Sequence, residues 1–251
     1  MIKKIFASLL IVLFTAIISD AADLSLDDLV NKIKANQDKI KDLYAETITV
    51  ISSNMSLPGQ EGKGPQKMVQ KGKMWTKGED KSKLEVFSPT HQITITNGDQ
   101  MVMINPDTGQ KMVQDLKKLK GETASSKGQG GMGQMSLAKT KEYFNLSVVS
   151  RADTGKTVYL VTGVPKKENK IIGKIEFYVD SEKLTPVKVI IYDPKGGLVS
   201  QSILEYKEIN GILIPVKSSS QINTPMGKMD VELTYNNLKL NQGISDGEFK
   251  I

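Results

Sequence analysis

Apolar and polar residues alternate through five successive runs in the second half of the chain, between Ile171 and Lys239. The gaps between the runs hold only the sequences SEKL, PKGG, EING and TPMG, whose residues favour tight turns. A period of two is typical of strands with one apolar and one polar face, and short turns join antiparallel neighbours. The pattern therefore predicts a meander of long antiparallel strands.

An amphipathic helix is predicted at residues 25–42. Ser25 is a suitable N-cap, and Asp28 follows three residues later, where an acidic side chain favours the start of a helix. Apolar residues recur at helical spacing at Leu26, Leu29, Val30, Ile33, Ile40 and Leu43. They share one side of the helix, which can pack on a sheet as an ordinary core helix or lie across it as a lid.

From Tyr44 the period changes to two, and strands are predicted as far as residue 115, with Asn97-Gly98 as a turn between two of them. Residues 117–133 are rich in glycine and lysine and are predicted to form a mobile loop. A short second helix follows at 136–144, where Leu137 and Phe144 share a face. The prediction is a mainly β (α+β) protein of about eleven strands and two or three helices.

The N-terminus is typical of an export signal. Lys3 and Lys4 precede an almost unbroken apolar run over residues 5–18, and small residues follow at a suitable cleavage site near Ala21. We therefore predict a signal peptide at 1–21, a periplasmic location and one domain at 22–251; an uncleaved membrane anchor is the alternative. The chain has no cysteine, which excludes disulfides, thiolate metal sites and a lipobox.

The formal net charge is +6, and nearly all of the positive charge comes from lysine, since Arg151 is the only arginine. Proteins that read nucleic acid rely strongly on arginine, so no nucleic-acid partner is expected. The lysines fit a solvated outer face that discourages pairing between sheet edges, or alternatively a surface that attracts anionic lipid headgroups.

Residues that could carry catalysis are scarce. His91 is the only histidine, and no pair of carboxylates lies beside it at metal-ligand spacing. No serine lies in a G-x-S-x-G motif. We therefore expect no catalytic site, no bound metal and no cofactor, and the chain is predicted not to be an enzyme. A hydrolase of envelope polymers is one rival hypothesis, although no particular carboxylate stands out for it.

The apolar inventory suggests a hydrophobic cavity. Seven of the eleven methionines lie between residues 68 and 135, and methionine suits surfaces that adapt to acyl chains of variable shape. These apolar residues can form either an ordinary packed core or the lining of a ligand cavity. The cavity is suggested by the width of the sheet, since two short helices would leave much of it uncovered. The predicted cavity residues are Trp75, Ile93, Ile95, Met101, Met103, Met112, Ile175, Phe177, Val189, Ile191, Val231 and Leu233. The predicted lid residues are Leu29, Ile33, Leu137 and Phe144.

Short motifs also carry a resemblance to a known family. They are KDLYAE at 41–46, ITNGDQMVMINP at 95–106, YVD at 178–180, LTPVK at 184–188, NG at 210–211, IP at 214–215 and GISDGEF at 243–249. In this order, and after an export signal, they resemble the periplasmic lipoprotein carriers of the LolA and LolB type, within the wider superfamily of lipoprotein-sorting proteins.

The resemblance implies an unclosed antiparallel β half-barrel, with helices that act as a lid over its concave face. It implies a carrier that shields lipoprotein acyl chains, or a related lipid, between an inner-membrane donor and an outer-membrane acceptor, and we expect a monomer. The missing lipobox makes the carrier a closer match than the acceptor. Members commonly hold the lid with an arginine of the early strands, a role that cannot pass to Arg151. A sensor or interaction domain on the same scaffold is the alternative function.

Overall fold

The computed structural model describes residues 24–54, 66–117 and 137–251. The predicted signal peptide, nearly all of the predicted glycine-rich loop and the connection at 55–65 lie outside the described residues. Within these ranges the backbone forms thirteen strands in one sheet, two α-helices and a short C-terminal 3-10 helix. The predicted mainly β class is confirmed, and the sheet has thirteen strands where about eleven were predicted.

The helices are α1 (Leu26–Gln37) and α2 (Leu137–Tyr143), and the 3-10 helix is Asp246–Phe249. The strands before α2 are β1 (Asp42–Ser53), β2 (Gln66–Lys77), β3 (Lys81–Ser88), β4 (Gln92–Asn97), β5 (Gln100–Ile104) and β6 (Lys111–Asp115). The strands after α2 are β7 (Phe144–Asp153), β8 (Lys156–Pro165), β9 (Lys174–Asp180), β10 (Pro186–Tyr192), β11 (Leu198–Ile209), β12 (Ile212–Thr224) and β13 (Gly227–Leu240).

The strand order is β6-β5-β4-β3-β2-β1-β13-β12-β11-β10-β9-β8-β7. Every neighbouring pair is antiparallel, and all pairs except β1–β13 are consecutive in the chain. The β1–β13 pair therefore joins two meanders, one from each half of the sequence. In this order β6 and β7 are the two edges, so the sheet is unclosed, as the resemblance implied.

Helix α1 begins as the sequence predicts but ends earlier. The Ser25 hydroxyl accepts a hydrogen bond from the Asp28 N–H at 3.2 Å, which satisfies one of the free donors at the helix start. The helix ends at Gln37 rather than near residue 42, and residues 38–41 form a turn that leads into β1. The Asn241 side chain accepts from the Lys41 N–H at 2.7 Å, and β1 begins one residue later.

The two helices cover one face of the sheet, which we call the inner face. They pack on β7–β10 in a buried cluster formed by Leu29, Val30, Ile33, Leu137, Phe144, Val161, Ile172, Ile175, Phe177 and Val179. Helix α2 spans Leu137–Tyr143, so it reproduces the predicted second helix apart from its ends. Residue 136 lies outside the described residues, and Phe144 opens β7 instead of closing the helix.

Contacts of the helices show that the sheet curves toward its inner face. Glu79, in the turn between β2 and β3, lies 3.2 Å from the Lys34 ammonium of α1 and 3.6 Å from the Lys139 ammonium of α2. In a flat sheet β2 would lie about 29 Å from β9, since six strand spacings of about 4.8 Å separate them. Helices that rest on β7–β10 reach this turn because the sheet is bent into an open half-barrel.

The C-terminal segment 241–251 crosses the opposite, outer face of the sheet. Phe249 is fully buried there, and its carbonyl oxygen accepts a hydrogen bond from the Asn97 side chain at 3.2 Å. Asp246 lies 3.0 Å from the ammonium groups of both Lys77 and Lys81. Different strands are therefore covered on different faces: the helices cover β7–β10 on the inner face, and this segment covers β2–β4 on the outer face.

Candidate functional site

The inner face can be followed strand by strand through directly paired residues, which point to the same side of a sheet. One row contains Val148, Val161, Phe177, Val189, Ser202, Ser220, Val231, Ile51 and Met68. A second row, nearer the other edge, contains Ala45, Met74, Leu84, Thr94, Met103 and Met112. One surface thus runs from the helix-covered strands to β6.

Two buried clusters lie on this surface, and only the first includes residues of the helices. The first lies beneath the helices and contains all four predicted lid residues, Leu29, Ile33, Leu137 and Phe144, together with Ile175 and Phe177. The second contains Leu43, Ala45, Met74, Ile214, Tyr235 and Leu240. Burial raises the pKa of the Tyr235 phenol above its ordinary value, so this part of the inner face favours uncharged groups.

Outside these two clusters, a stretch of the inner face carries apolar side chains that are only half-buried. We call it the inner trough and define it by Ile51, Val86, Met103, Leu204, Val231 and Leu233. Its far margin is more open, since Met68 is 38% and Met112 is 52% exposed. The trough is therefore apolar surface that the described residues leave partly open to solvent.

Hydroxyl groups occupy one side of the inner trough. Ser202 of β11 and Ser220 of β12 are direct partners, and their Oγ atoms lie 2.8 Å apart. Ser218 and Thr49 flank Leu233 on its two neighbouring strands. A hydrogen-bonding group of a bound molecule would find partners here, while the remaining sides of the trough accept hydrocarbon.

Nine of the twelve predicted cavity residues lie on the inner face. They are Met101, Met103, Met112, Ile175, Phe177, Val189, Ile191, Val231 and Leu233. Ile175 and Phe177 are fully buried beneath the helices, whereas Val231 and Leu233 are half-buried in the inner trough. The predicted set is thus divided between the covered and the open part of one surface.

The other three, Trp75, Ile93 and Ile95, lie on the outer face and do not line the trough. Trp75 is paired with Lys83, which is paired in turn with Ile95. Both faces of β3–β5 carry apolar residues, because the C-terminal segment covers the outer face there while the inner face continues the trough. Alternation fixes which residues of a strand share a face but not which face is inside, and this is the reason for the error.

Sequence reasoning also missed residues that the structure brings into the trough. Ile51, Val86 and Leu204 were not among the predicted cavity residues, and neither were the serines of β11 and β12. Alternation along β11 does place Leu204 on the same face as Ser202, so the sequence indicated that these two residues share a surface. The pairing of β1 with β13, which brings Ile51 beside Val231, joins distant parts of the sequence and gave no local signal.

Two clefts lie on the outer face. One, of about 250 Å³, lies between Trp75, Tyr44 and the C-terminal segment, and the Lys83 ammonium sits 4.7 Å from the centre of the Trp75 ring. The other, of about 550 Å³, is lined largely by polar side chains of β1, β2, β11, β12 and β13, such as Lys67 and Asp230. Val50, Ile203 and Val231 also line this second cleft.

Groups with catalytic or metal-binding potential are dispersed. His91 Nε2 lies 3.0 Å from Glu85 Oε1, and His91 Nδ1 lies 3.8 Å from Asp107 Oδ1. Over the described ranges, no three His, Asp or Glu side chains gather closely enough to hold a metal ion. The expectation that the chain is not an enzyme stays a prediction.

Neither described helix has the length and apolar sequence that crossing a membrane requires. A search of curated proteins found no match to the sequence. A family model described as that of an uncharacterized protein matches residues 114–251, which include α2 and all strands of the second half.

Three solved structures have a similar fold. A domain from Vibrio parahaemolyticus described as an outer membrane lipoprotein-sorting protein domain has a TM-score of 0.64 at 16% identity, over 89% of this chain and 95% of that chain. A DUF1329 family protein from Desulfovibrio piger ATCC 29098 has a TM-score of 0.65 at 17% identity, over 89% and 95%. A LolA superfamily protein from Nitrosomonas europaea has a TM-score of 0.58 at 15% identity, over 88% and 97%. The resemblance expected from the sequence is confirmed at the level of the fold.

Proposed function

We propose a function from the premise that the chain belongs to the uncharacterized protein family matched over residues 114–251 and has the fold of the LolA superfamily. The chain binds the acyl chains of a lipoprotein, or of a related lipid, in the inner trough. It then carries them through the periplasm toward the outer membrane. An inner-membrane donor and an outer-membrane acceptor are its expected partners.

The observation that carries this proposal is the half-open apolar surface of the inner trough. Val231 and Leu233 of β13 and Ile51 of the adjacent strand β1 lie side by side on the inner face, and all three are half-buried. Burying an acyl chain there contributes about 0.8 kcal/mol for each methylene group. In this proposal, loading and release require no covalent chemistry.

The helices act as a lid in this proposal. Their apolar residues already occupy the inner face over β7–β10, including the surfaces of Ile175 and Phe177. An acyl chain that extends from the trough beneath the helices would replace these contacts with its own. The proposal adds that residues 1–21 direct export and that the carrier acts as a monomer.

The test combines native cargo analysis with a direct binding measurement. Organic extracts of the natively purified protein are examined by mass spectrometry, and uptake of a fluorescent fatty acid is titrated. Leu233→Glu places a charge in the trough and is expected to weaken binding by at least about tenfold. Ile203→Glu is the matched control, since Ile203 is 47% exposed on the outer face of β11.

Equal effects of the two substitutions would place binding elsewhere than the trough. An empty extract together with no uptake of the probe would refute the carrier function. That outcome would favour the interaction-domain alternative, for which a stable complex with a membrane-anchored protein is the positive test.

A further inference from the structure

Three connections at one end of the sheet carry an exposed apolar side chain each. We call this end the basal end and define it by the β8–β9, β10–β11 and β12–β13 connections together with Leu198, the first residue of β11: residues 166–173, 193–198 and 225–226. Each connection presents one large apolar side chain: Ile171 is 61%, Leu198 is 37% and Met226 is 54% exposed. Among the described residues, the turns at the opposite end present none of comparable exposure.

The local structure holds these side chains outward. The Asn169 side chain accepts hydrogen bonds from the Ile171 and Ile172 N–H groups at 2.8 and 2.9 Å. Ile172 is 8% exposed and anchors the connection in the helix-covered cluster, so its neighbour faces solvent. In the β12–β13 turn the Thr224 hydroxyl accepts from the Met226 N–H at 3.2 Å. These hydrogen bonds thus hold Ile171 and Met226 in exposed positions in the unbound protein.

Lysines accompany each of these side chains. Lys166, Lys167 and Lys170 lie in the β8–β9 connection, Lys195 in the β10–β11 turn and Lys228 directly after the β12–β13 turn, and all five are exposed. No ion pair within the described ranges involves any of them. The same segments also hold Glu168 and Asp193, so their five lysines exceed their two acidic residues by three, whereas at the opposite end the turns between β2 and β3 and between β4 and β5 carry acidic residues and no lysine.

We propose that the basal end is a docking surface for an anionic lipid bilayer. Ile171, Leu198 and Met226 enter the headgroup boundary, and the neighbouring lysines bind lipid phosphates. The proposal goes beyond the carrier function and does not depend on it, because docking requires no cargo in the trough.

The arrangement fits a bilayer better than a protein partner. Alternate hairpins lie about 10 Å apart, so the three apolar side chains are separate projections and not one continuous patch. Lysine is depleted at the centres of protein interfaces, where a contiguous packed core is usual. A fluid, negatively charged surface accommodates separate apolar side chains that have lysines around them.

The absence of cysteine from the chain allows single-site reporters. Ile171→Cys and Met226→Cys are labelled with an environment-sensitive fluorophore, and Val149→Cys is the control because Val149 is 56% exposed on the outer face of β7. The probes are vesicles of phosphatidylglycerol and phosphatidylcholine in equal parts, and vesicles of phosphatidylcholine alone. Exported protein with its N-terminus read by mass spectrometry is used throughout, so any contribution of the N-terminal segment is common to all variants.

We expect a blue shift at residues 171 and 226 with the anionic vesicles only, and none at 149. Lys170→Gln should weaken vesicle binding by about fivefold, whereas Lys156→Gln at the opposite end should leave it unchanged. Absence of binding to both vesicles, equal binding to both, or an equal response at Val149 would overturn the proposal. Fatty-acid uptake measured without vesicles tests the carrier function separately, so failure of one is distinguishable from failure of the other.

Discussion

The helices should be held on the sheet by apolar contact and not by charge, and two substitutions separate these causes. Ile33 of α1 is 3% exposed within the helix-covered cluster. Ile33→Ala leaves a cavity and should lower the free energy of unfolding by about 2–5 kcal/mol. Glu79→Gln removes the ion pairs with Lys34 and Lys139, but the three side chains are 63%, 44% and 50% exposed. Each exposed pair contributes only about 0.2–1 kcal/mol.

Urea unfolding of the exported protein measures both effects on one scale, provided that the slope of the transition stays unchanged. Ile171→Ala is the control for loss of an exposed apolar side chain, with an expected change within about 0.5 kcal/mol. A larger loss for Glu79→Gln than for Ile33→Ala would refute the reasoning. So would an Ile33→Ala effect that disappears at high salt, since salt screens ion pairs and not apolar contacts.

The free energy of burying apolar groups bears on how the proposed carrier could load its cargo. Ten methylene groups of an acyl chain contribute about 8 kcal/mol on burial, which exceeds the cost of losing one helix side chain from the cluster. A bound chain can therefore replace the contacts of the helices with similar contacts of its own. Ion pairs would offer no such exchange, because hydrocarbon cannot replace a charged partner.

Four further predictions concern single residues elsewhere in the fold. Gly72→Ala should destabilise the protein by at least about 2 kcal/mol in urea unfolding, because a Cβ atom there would clash with the backbone oxygen of Glu85 in β3. Phe249→Ala, which empties a fully buried site, should cost about 3–5 kcal/mol. Hydrogen bonds from Lys81 and Lys77 lower the pKa of Asp246, so its stabilising effect is present above the ordinary aspartate pKa and is lost as pH falls through the lowered value; Asp246→Asn should remove that part of an acid unfolding curve. Burial raises the pKa of Tyr235, so its effect is present below about pH 10 and is lost as pH rises through the higher value; Tyr235→Phe should flatten the alkaline limb, measured by absorbance titration and unfolding.

Local patterns in the sequence were sufficient to predict most elements of the fold. The alternation between Ile171 and Lys239 predicted β9–β13, and Ser25 marked the start of α1. The end of α1 was missed because Ile40 and Leu43 continue the helical spacing but pack in the second inner cluster. Apolar spacing alone does not distinguish one continuous helix from a helix followed by a strand that buries the same residues.

The candidate site was harder to predict because it depends on which face each strand turns inward. Phe177, Val189 and Val231 were assigned to one surface, and the register places them in one row. Trp75 and Ile95 were assigned to it by their apolar character, but they lie on the face that the C-terminal segment crosses. The position of that segment depends on contacts with strands that are distant in the sequence, and the local alternation of apolar and polar residues does not predict such contacts.

The different covers of the two halves explain how the trough can stay open in a stable protein. Strands β7–β10 bury their inner face under α1 and α2, whereas β3–β5 bury Ile95 and Val102 on the outer face. The first half therefore does not need a cover over its inner face in order to have a core. Movement of the helices would expose Ile175 and Phe177 while leaving Phe249 and its surroundings packed. Loading of the trough can then alter the helix-covered half alone, and the first half, joined through β1 and β13, stays in place as the fixed wall of the site.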